Sequence, residues 1–296
     1  MTGTAIQFVG PFILFCLMFI VGLELTAADF RRVAAAPRAV VGGTLGQLLL
    51  LPLMTWALVR WLDLPPAFGA RAVLVALAPG AGMSNLMAAL ARANVALSVT
   101  LTGIASVLSV VTLPVIASIT MRVFLGESSD IEVPVAPLIQ QLSLAMLLPI
   151  GTGMTIRMRF PEFADRNARK LQRLAGAMIA ALIVGAIAGS ESEDFQLEGA
   201  ETLLVAAGLW TLAAMGIGWL VSLALRLGPA ERATFLIEFS ARNIAVSTIV
   251  ALSGLQRFDL TIFSAVYGTV GYAMCGVAAL LLRRQLGAAA NSQDRA

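Results

Sequence analysis

The feature that most constrains this chain is a series of about nine apolar stretches, each near the roughly 20 residues that a helix needs to cross a bilayer. Apolar residues make up 59% of the sequence and charged residues 12%. Because a backbone in lipid must satisfy its own hydrogen bonds, the pattern predicts an all-α polytopic membrane protein. The stretches are approximately 6–25, 39–59, 72–91, 95–121, 135–156, 174–189, 202–225, 233–252 and 261–282.

The polar segments between these stretches are too short to fold separately, so residues 1–286 are predicted to form one transmembrane domain. Residues 287–296 have the composition of a disordered cytoplasmic tail. The first apolar stretch is not preceded by a basic segment. We therefore expect a retained helix rather than a cleaved signal peptide.

The basic residues predict the orientation in the membrane. Most of the 20 Lys and Arg residues lie in one alternate set of links, above all in 157–173. The other set holds few basic residues and two acidic clusters, within 127–132 and 191–201. Because basic links stay in the cytoplasm, we expect the N-terminus outside the plasma membrane and the C-terminus inside. The membrane topology thereby explains the net charge of +3, which does not indicate a nucleic-acid partner.

The composition argues against an enzyme. The chain has no histidine, which excludes Ser-His hydrolysis and removes the commonest transition-metal ligand. Cys16 and Cys275 both lie in apolar stretches and suggest neither a disulfide framework nor a metal site. Prenyl transfer needs clustered carboxylates for magnesium, whereas only Glu238 lies deep within a stretch.

A helix break is predicted within the third apolar stretch. Pro79 lacks the backbone donor that a continuing helix needs, and Gly80 and Gly82 lower the cost of leaving helical geometry. The backbone groups that such a break frees must be satisfied by protein, water or a ligand. The segment 78–102 is therefore a candidate binding site.

Four oxygen-bearing side chains accompany this break. Ser84 and Asn85 follow it directly, while Ser98 and Thr102 lie one helical turn apart on the next stretch. Oxygen ligands beside a broken helix suit a hard cation such as sodium. The alternative is ordinary helix packing along a hydroxyl stripe. That stripe is Ser98, Thr102, Ser106 and Ser109.

Ionisable side chains are rare within the stretches. Glu24 lies at the inner end of the first one, where it can reach the membrane interface. Glu238 and Arg242 lie in the middle of the eighth, with Asn243 beside them. Buried charges in a membrane are functional candidates by default. The alternative is a structural ion pair between residues four positions apart.

Three segments resemble the bile acid:sodium symporter family, and the likeness covers nearly the whole chain. They are GLELTAADFRRVAAAPRAV, PGAGMSNLMAALARANVALSVTLT and EFSARN. The resemblance implies inverted repeats, a panel subdomain (about 6–25, 135–156 and 174–189) and a core subdomain (about 39–121 and 202–282). It also implies that the third and eighth stretches are broken helices that cross near the membrane centre. No Gly or Pro near Glu238 predicts the second break, so it is expected from the resemblance alone.

The resemblance implies two sodium sites. The first matches Ser84, Asn85, Ser98, Thr102 and Glu238. The second would comprise Gln47, Glu238, Phe239, Ala241 and Arg242, the last of which stands where the family has a glutamine.

Arg242 cannot coordinate sodium, because it is a permanent cation without an acceptor atom. We expect its guanidinium to occupy the second cation position and to pair with Glu238, so that at most one sodium ion binds. Moving one sodium ion with one monoanion would be electroneutral. Because Glu238 would be neutralised without sodium, a sodium-independent exchanger or uniporter is the alternative.

The expected function is secondary transport of a small organic anion, bile-acid-like or a keto or hydroxy acid, with Asn85, Asn243 and Arg242 as polar contacts. The related arsenite carriers place a reactive cysteine on the broken helix, which this chain lacks. A scaffold or receptor would leave Glu238 and the oxygen cluster unexplained. The expected partners are the anion, sodium and the bilayer, and no feature indicates a protein partner.

Overall fold

The computed structural model describes residues 3–80, 82–125, 133–167 and 200–293, with positions 170, 171, 173, 174 and 177. Across these residues the secondary structure is helical, apart from one isolated β-bridge. The helices in chain order are α1 (Gly3–Glu24), α2 (Ala27–Ala35), α3 (Pro37–Trp61), α4 (Pro66–Leu77), α5 (Gly82–Leu90), α6 (Val95–Leu125), α7 (Val135–Arg159), α8 (Ala200–Ala224), α9 (Pro229–Ser240), α10 (Ile244–Gly254) and α11 (Ile262–Gln293). Residues 161–167 are also helical. Single π-helical turns interrupt α3 at Gly46–Leu50, α7 at Ser143–Leu147 and α10 at Val250–Gly254.

Within the described residues, five helices are long and apolar enough to cross a membrane: α3, α6, α7, α8 and α11 with the turn before it. Phe12–Glu24 and α2 form an apolar pair bent by 65°, and the number of spans is six if this pair is taken as one. The third and eighth apolar stretches are each divided into two helices that are too short to cross a bilayer alone.

The predicted sixth stretch, 174–189, lies almost wholly outside the described residues, as do most positions of both acidic clusters. The total of about nine spans and the inverted repeats therefore stay predictions. At the C-terminal end, α11 continues to Gln293, into the segment that the composition identifies as a disordered tail.

Two large hydrophobic clusters and a third, smaller one hold the helices together. Of the large clusters, one joins α1 and α7 with α4, α6 and α10, and the other joins α3, α8, α9 and α11 with α4 and α6. The small cluster joins α5, α8, α9 and α11. Glycines permit the closest helix approach, because a Cβ on Gly22 or Gly153 would clash with the backbone of the facing helix, α7 or α1. The helices α4 and α6 contribute to both large clusters and so lie between them.

A polar link at the start of α6 sets its register against α9. The Asn94 carbonyl accepts a hydrogen bond from the Thr234 hydroxyl at 3.1 Å. The Asn94 side chain accepts from the backbone N–H of Leu97 at 3.0 Å, in the first turn of α6. One helical turn beyond Asn94 and Thr234 come Ser98 and Glu238, which therefore face each other across the two helices.

Candidate functional site at the crossing of two broken helices

The two interrupted helices meet at their breaks. The first break lies between α4 and α5, and the second lies between α9 and α10. Gly80 and Arg242 form an antiparallel bridge, and the N–H of Asn243 donates to the carbonyl of Pro79 at 2.9 Å. Each break thus satisfies backbone groups that the other has freed, as a low-dielectric environment requires. Both breaks are present, the first as Pro79 and its neighbouring glycines predict and the second as the family resemblance alone implies.

Two tyrosines of α11 hold the second break, which has no Gly or Pro of its own. The Tyr267 hydroxyl accepts from the Arg242 N–H at 2.8 Å and donates to the carbonyl of Ser240. The Tyr272 hydroxyl donates to the Arg242 carbonyl at 2.6 Å. Neither tyrosine is among the site residues predicted from the sequence. The available signal was that the only two tyrosines of the chain lie five positions apart in one apolar stretch.

The side chain of Asn243 caps the helix that follows this break. Its oxygen accepts from the backbone N–H groups of Ala245 at 3.1 Å and Val246 at 3.3 Å. Both of these bonds use the Asn243 oxygen, which leaves the side-chain NH₂ group outside the cap. The residue is 5% exposed.

The Glu238 carboxylate lies at the centre of the predicted oxygen cluster and is fully buried. It accepts hydrogen bonds from the hydroxyls of Ser84 at 2.6 Å, of Ser98, and of Thr102 at 3.2 Å. The Ser98 hydroxyl also contacts the Asn85 side-chain oxygen at 2.9 Å. All five residues matched to the first sodium site therefore meet at one point, contributed by α5, α6 and α9.

Gly80 forms one wall of this cluster. A Cβ at this position would lie 2.6 Å from a Glu238 carboxylate oxygen and 2.7 Å from the Thr102 hydroxyl. The space that a methyl group would fill is thus bounded by oxygen atoms. One carboxylate together with neutral hydroxyl and amide oxygens is a ligand set that suits a hard cation. If the hydroxyl groups rotated so that their protons pointed away, the oxygen lone pairs would be available to the cation.

The other two hydroxyls of the stripe on α6 donate hydrogen bonds to backbone carbonyls of the same helix. The hydroxyl of Ser106 donates to the Thr102 carbonyl at 2.7 Å, and that of Ser109 donates to the Ser106 carbonyl at 2.9 Å. Ser98 and Thr102 instead reach Glu238. The second half of the stripe therefore bonds to the backbone of its own helix, whereas the first half contacts the Glu238 carboxylate.

The Arg242 side chain is fully buried among oxygen acceptors. Its guanidinium donates to the Gln47 side-chain oxygen at 2.7 Å, to the Glu238 backbone carbonyl at 3.1 Å and to the carbonyl of Ala78. These contacts differ from the expected pairing with the Glu238 carboxylate, because the hydroxyls of α5 and α6 hold that group instead. Gln47 reaches the site from the π-helical turn of α3.

The other two residues matched to the second site, Phe239 and Ala241, are fully buried at the same break. Ala241 ends α9, and its N–H donates to the Ile237 carbonyl at 2.8 Å. The Phe239 ring stacks on Phe235 with the ring centroids 5.7 Å apart.

Glu24 also contacts the cluster, through Asn85. Its carboxylate accepts a hydrogen bond from the Asn85 side-chain nitrogen at 2.6 Å, a contact that its expected position near the membrane interface does not predict. Asn85 therefore connects Glu24 to Ser98 and, through Ser98, to Glu238. The only signal in the sequence was an acidic residue at the end of an apolar stretch.

Residues 11–195 match the Sodium Bile acid symporter family. A probable sodium/metabolite cotransporter of rice chloroplasts (BASS2, Oryza sativa subsp. japonica) is 28% identical over 278 residues, 94% of this chain and 64% of its own length. The sodium-dependent transporter YocS of Bacillus subtilis is 27% identical over 262 residues, 86% of this chain and 78% of its own.

A probable sodium/metabolite cotransporter of Arabidopsis thaliana chloroplasts (BASS1) is 25% identical over 260 residues, 86% of this chain and 63% of its own length. The chain thus spans less than two thirds of both plant relatives. All three relatives carry transporter names, and none is named as an enzyme. The family match covers more than half of the chain, including α5 and most of the oxygen cluster, and it ends before Glu238 and Arg242. The chain is a member of the sodium bile acid symporter family.

Proposed function

We propose that this protein is a secondary active transporter that moves a small organic anion together with at most one sodium ion. The convergence of Ser84, Asn85, Ser98 and Thr102 on the buried Glu238 carboxylate carries the proposal. This cluster lies where two broken helices cross, the arrangement in which transporters bind coupling ions. The names of the relatives, which include sodium-dependent and sodium/metabolite transporters, support the same class of function.

The limit of one sodium ion follows from the surroundings of Arg242. Its guanidinium contacts two backbone carbonyls and the Gln47 amide oxygen, acceptors of the kind that a second sodium ion would use. A permanent cation in this position excludes another by repulsion and by occupying the ligands. We propose that Arg242 is a fixed substitute for the second ion.

The substrate is proposed to be a bile-acid-like or a keto or hydroxy acid that binds beside the crossing. Asn85 and Asn243 lie there, and the NH₂ group of Asn243 is not used in the cap. The Arg242 side chain does not face this space, because it is fully buried and its guanidinium is hydrogen-bonded inside the protein. We therefore assign the polar contacts to the two asparagines, and a direct role for Arg242 would require its side chain to move.

The burial of Arg242 also favours one alternative, sodium-independent exchange or uniport. A carrier with a built-in cation lowers the cost of returning without sodium, because the charge of Glu238 is already offset nearby. Purified protein in liposomes distinguishes the two schemes. Uptake of radiolabelled cholate and pantoate would be measured under an inward sodium gradient and under equimolar choline.

Sodium binding itself is tested by thermal stability in a sodium titration, with choline holding the ionic strength constant. A ligand that binds only the folded state raises its stability with concentration. We expect the sodium-dependent rise to be lost in Ser98→Ala, which removes a hydroxyl from Glu238. Ser109→Ala, from the helix-bonded half of the stripe, should respond as the unmodified protein does. An unchanged response in Ser98→Ala would contradict the site.

The orientation is proposed from the arginine-rich links, with the N-terminus outside and the C-terminus in the cytoplasm. By analogy with the Bacillus relative, the membrane is the plasma membrane. A C-terminal alkaline phosphatase fusion, which is active only outside the cytoplasm, should be inactive in bacteria. An active fusion would reverse the assignment.

A further inference from the structure

An exposed apolar stripe runs along the second half of α11 and ends at an arginine. Its members are Val277, Leu280 and Leu281, which are 59%, 50% and 54% exposed, followed by the exposed Arg284. They follow each other at the three- and four-residue steps of one helix face. Gly276 borders the stripe, and a Cβ there would meet nothing within 4 Å. This face of α11 is therefore open in the part of the chain that the structure describes.

Two further guanidinium groups lie at the end of the stripe. One belongs to Arg283, the neighbour of Arg284 in the chain. The other belongs to Arg92, in the turn after α5, because a Cβ on Gly287 would lie 3.7 Å from an Arg92 guanidinium nitrogen. Gly287 is one helical turn beyond Arg283, so Arg92 and Arg283 lie on the same side of α11. All three arginines are exposed, and the small hydrophobic cluster holds α5 against α11 beneath them.

The charges of these three arginines are not compensated within the described residues. The ion pairs found there are Arg32–Asp29, Arg157–Asp165 and Arg257–Asp259, none of which includes the group. Like charges held together repel one another, and an anion bound among them relieves the repulsion. Membrane topology explains why basic residues lie at this end of the helices. It does not explain why arginines from two separate segments meet at the end of an exposed apolar stripe.

We propose that this face of α11 binds an anionic phospholipid, with the headgroup phosphate on the three guanidinium groups and the acyl chains along the apolar stripe. Guanidinium groups bind phosphate oxygens through paired N–H donors, and basic pockets beside membrane helices bind lipid headgroups. The apolar stripe that adjoins the arginines favours a lipid over a soluble phosphate. The inference concerns a site away from the helix crossing and does not depend on the transported anion or on the number of sodium ions.

The test is the melting temperature of the purified protein in detergent, titrated with dioleoyl phosphatidylglycerol or with dioleoyl phosphatidylcholine. The two lipids share their acyl chains and differ in headgroup charge. A ligand of the folded state raises its stability with concentration. We expect phosphatidylglycerol to reach half of its effect at an at least about tenfold lower concentration than phosphatidylcholine. High salt should reduce this preference, because it screens the arginines.

The double variant Arg283→Gln/Arg284→Gln should respond to the two lipids at similar concentrations. The matched control is Arg60→Gln/Arg122→Gln, which removes the same charge from two exposed arginines near the ends of α3 and α6. The control should keep the preference for phosphatidylglycerol. An equal loss of preference in the control would mean diffuse attraction between charges and would overturn the site.

Two further outcomes would also overturn the proposal. One is an unmodified protein that responds equally to both lipids. The other is a stabilisation by soluble glycerol phosphate as large as that by the lipid, which would mean a site for free phosphate. The melting temperature without added lipid reports folding. If the double variant does not fold, Arg92→Gln decides, because we expect it to weaken the preference, and an unchanged preference would contradict the site.

Discussion

Gly80 and Arg242 face each other in an antiparallel bridge at the point where two interrupted helices cross. The bridge brings three groups together: the cluster on Glu238, the buried guanidinium, and the carbonyls of the first break. Gly80 lies against the cluster, and the carbonyl of Ala78 accepts from Arg242. A change on either side of the bridge should therefore affect cation binding before it affects the fold.

Replacing Gly80 with Ala should weaken sodium binding. Its Cβ would lie 2.6 Å from a Glu238 oxygen and 2.7 Å from the Thr102 hydroxyl, so these groups must move apart. We expect the sodium-dependent rise in melting temperature to be lost or to shift to at least about tenfold higher sodium. Gly216→Ala is the matched control, since a Cβ there meets nothing within 4 Å. Equal sodium responses in the two variants would contradict this role of Gly80.

Arg242→Gln should change the number of sodium ions that bind. The variant exchanges a fixed cation for a neutral amide oxygen beside Gln47 and the carbonyls of Ala78 and Glu238. We expect a second sodium ion to bind and the sodium dependence of transport or stability to become cooperative. Arg242→Met removes the charge without adding a ligand and serves as the comparison. A sodium dependence that stays non-cooperative in Arg242→Gln would argue against a replaced second site.

Tyr267→Phe should destabilise the protein more than Tyr272→Phe does. The Tyr267 hydroxyl serves two backbone groups of the second break, the N–H of Arg242 and the carbonyl of Ser240. The Tyr272 hydroxyl serves one, the Arg242 carbonyl. Each buried group left unpaired costs about 1–3 kcal/mol. Unfolding in detergent by denaturant should show the order, and equal or reversed losses would mean that the tyrosines do not hold the break.

The sequence predicts the first break and most of the cluster because their signals are local. Pro79 marks a point where a helix cannot continue, and the four-residue spacing of Ser98 and Thr102 places both hydroxyls on one face. Glu238 is identifiable because a buried carboxylate in an apolar stretch is costly. These inferences need no knowledge of which helices are neighbours.

The second break and the contact of Glu24 with Asn85 depend on distant parts of the chain. The segment around Arg242 has the apolar sequence pattern of a continuous helix. Its break is stabilised by two tyrosines that lie 25 and 30 positions away in the sequence. Glu24 meets Asn85 only because the end of α1 packs beside α5. The same holds for Arg242, whose acceptors come from three separate helix ends and turns rather than from the carboxylate four positions before it.

The most direct test of the central claim is equilibrium binding of radioactive sodium to the purified protein, measured as ions bound per chain across a concentration series. We predict saturation at one ion per chain without cooperativity, and loss of that binding in Ser98→Ala. Saturation at two ions, or no saturable binding at all, would contradict the assignment of Arg242 as the built-in second cation beside a working sodium site.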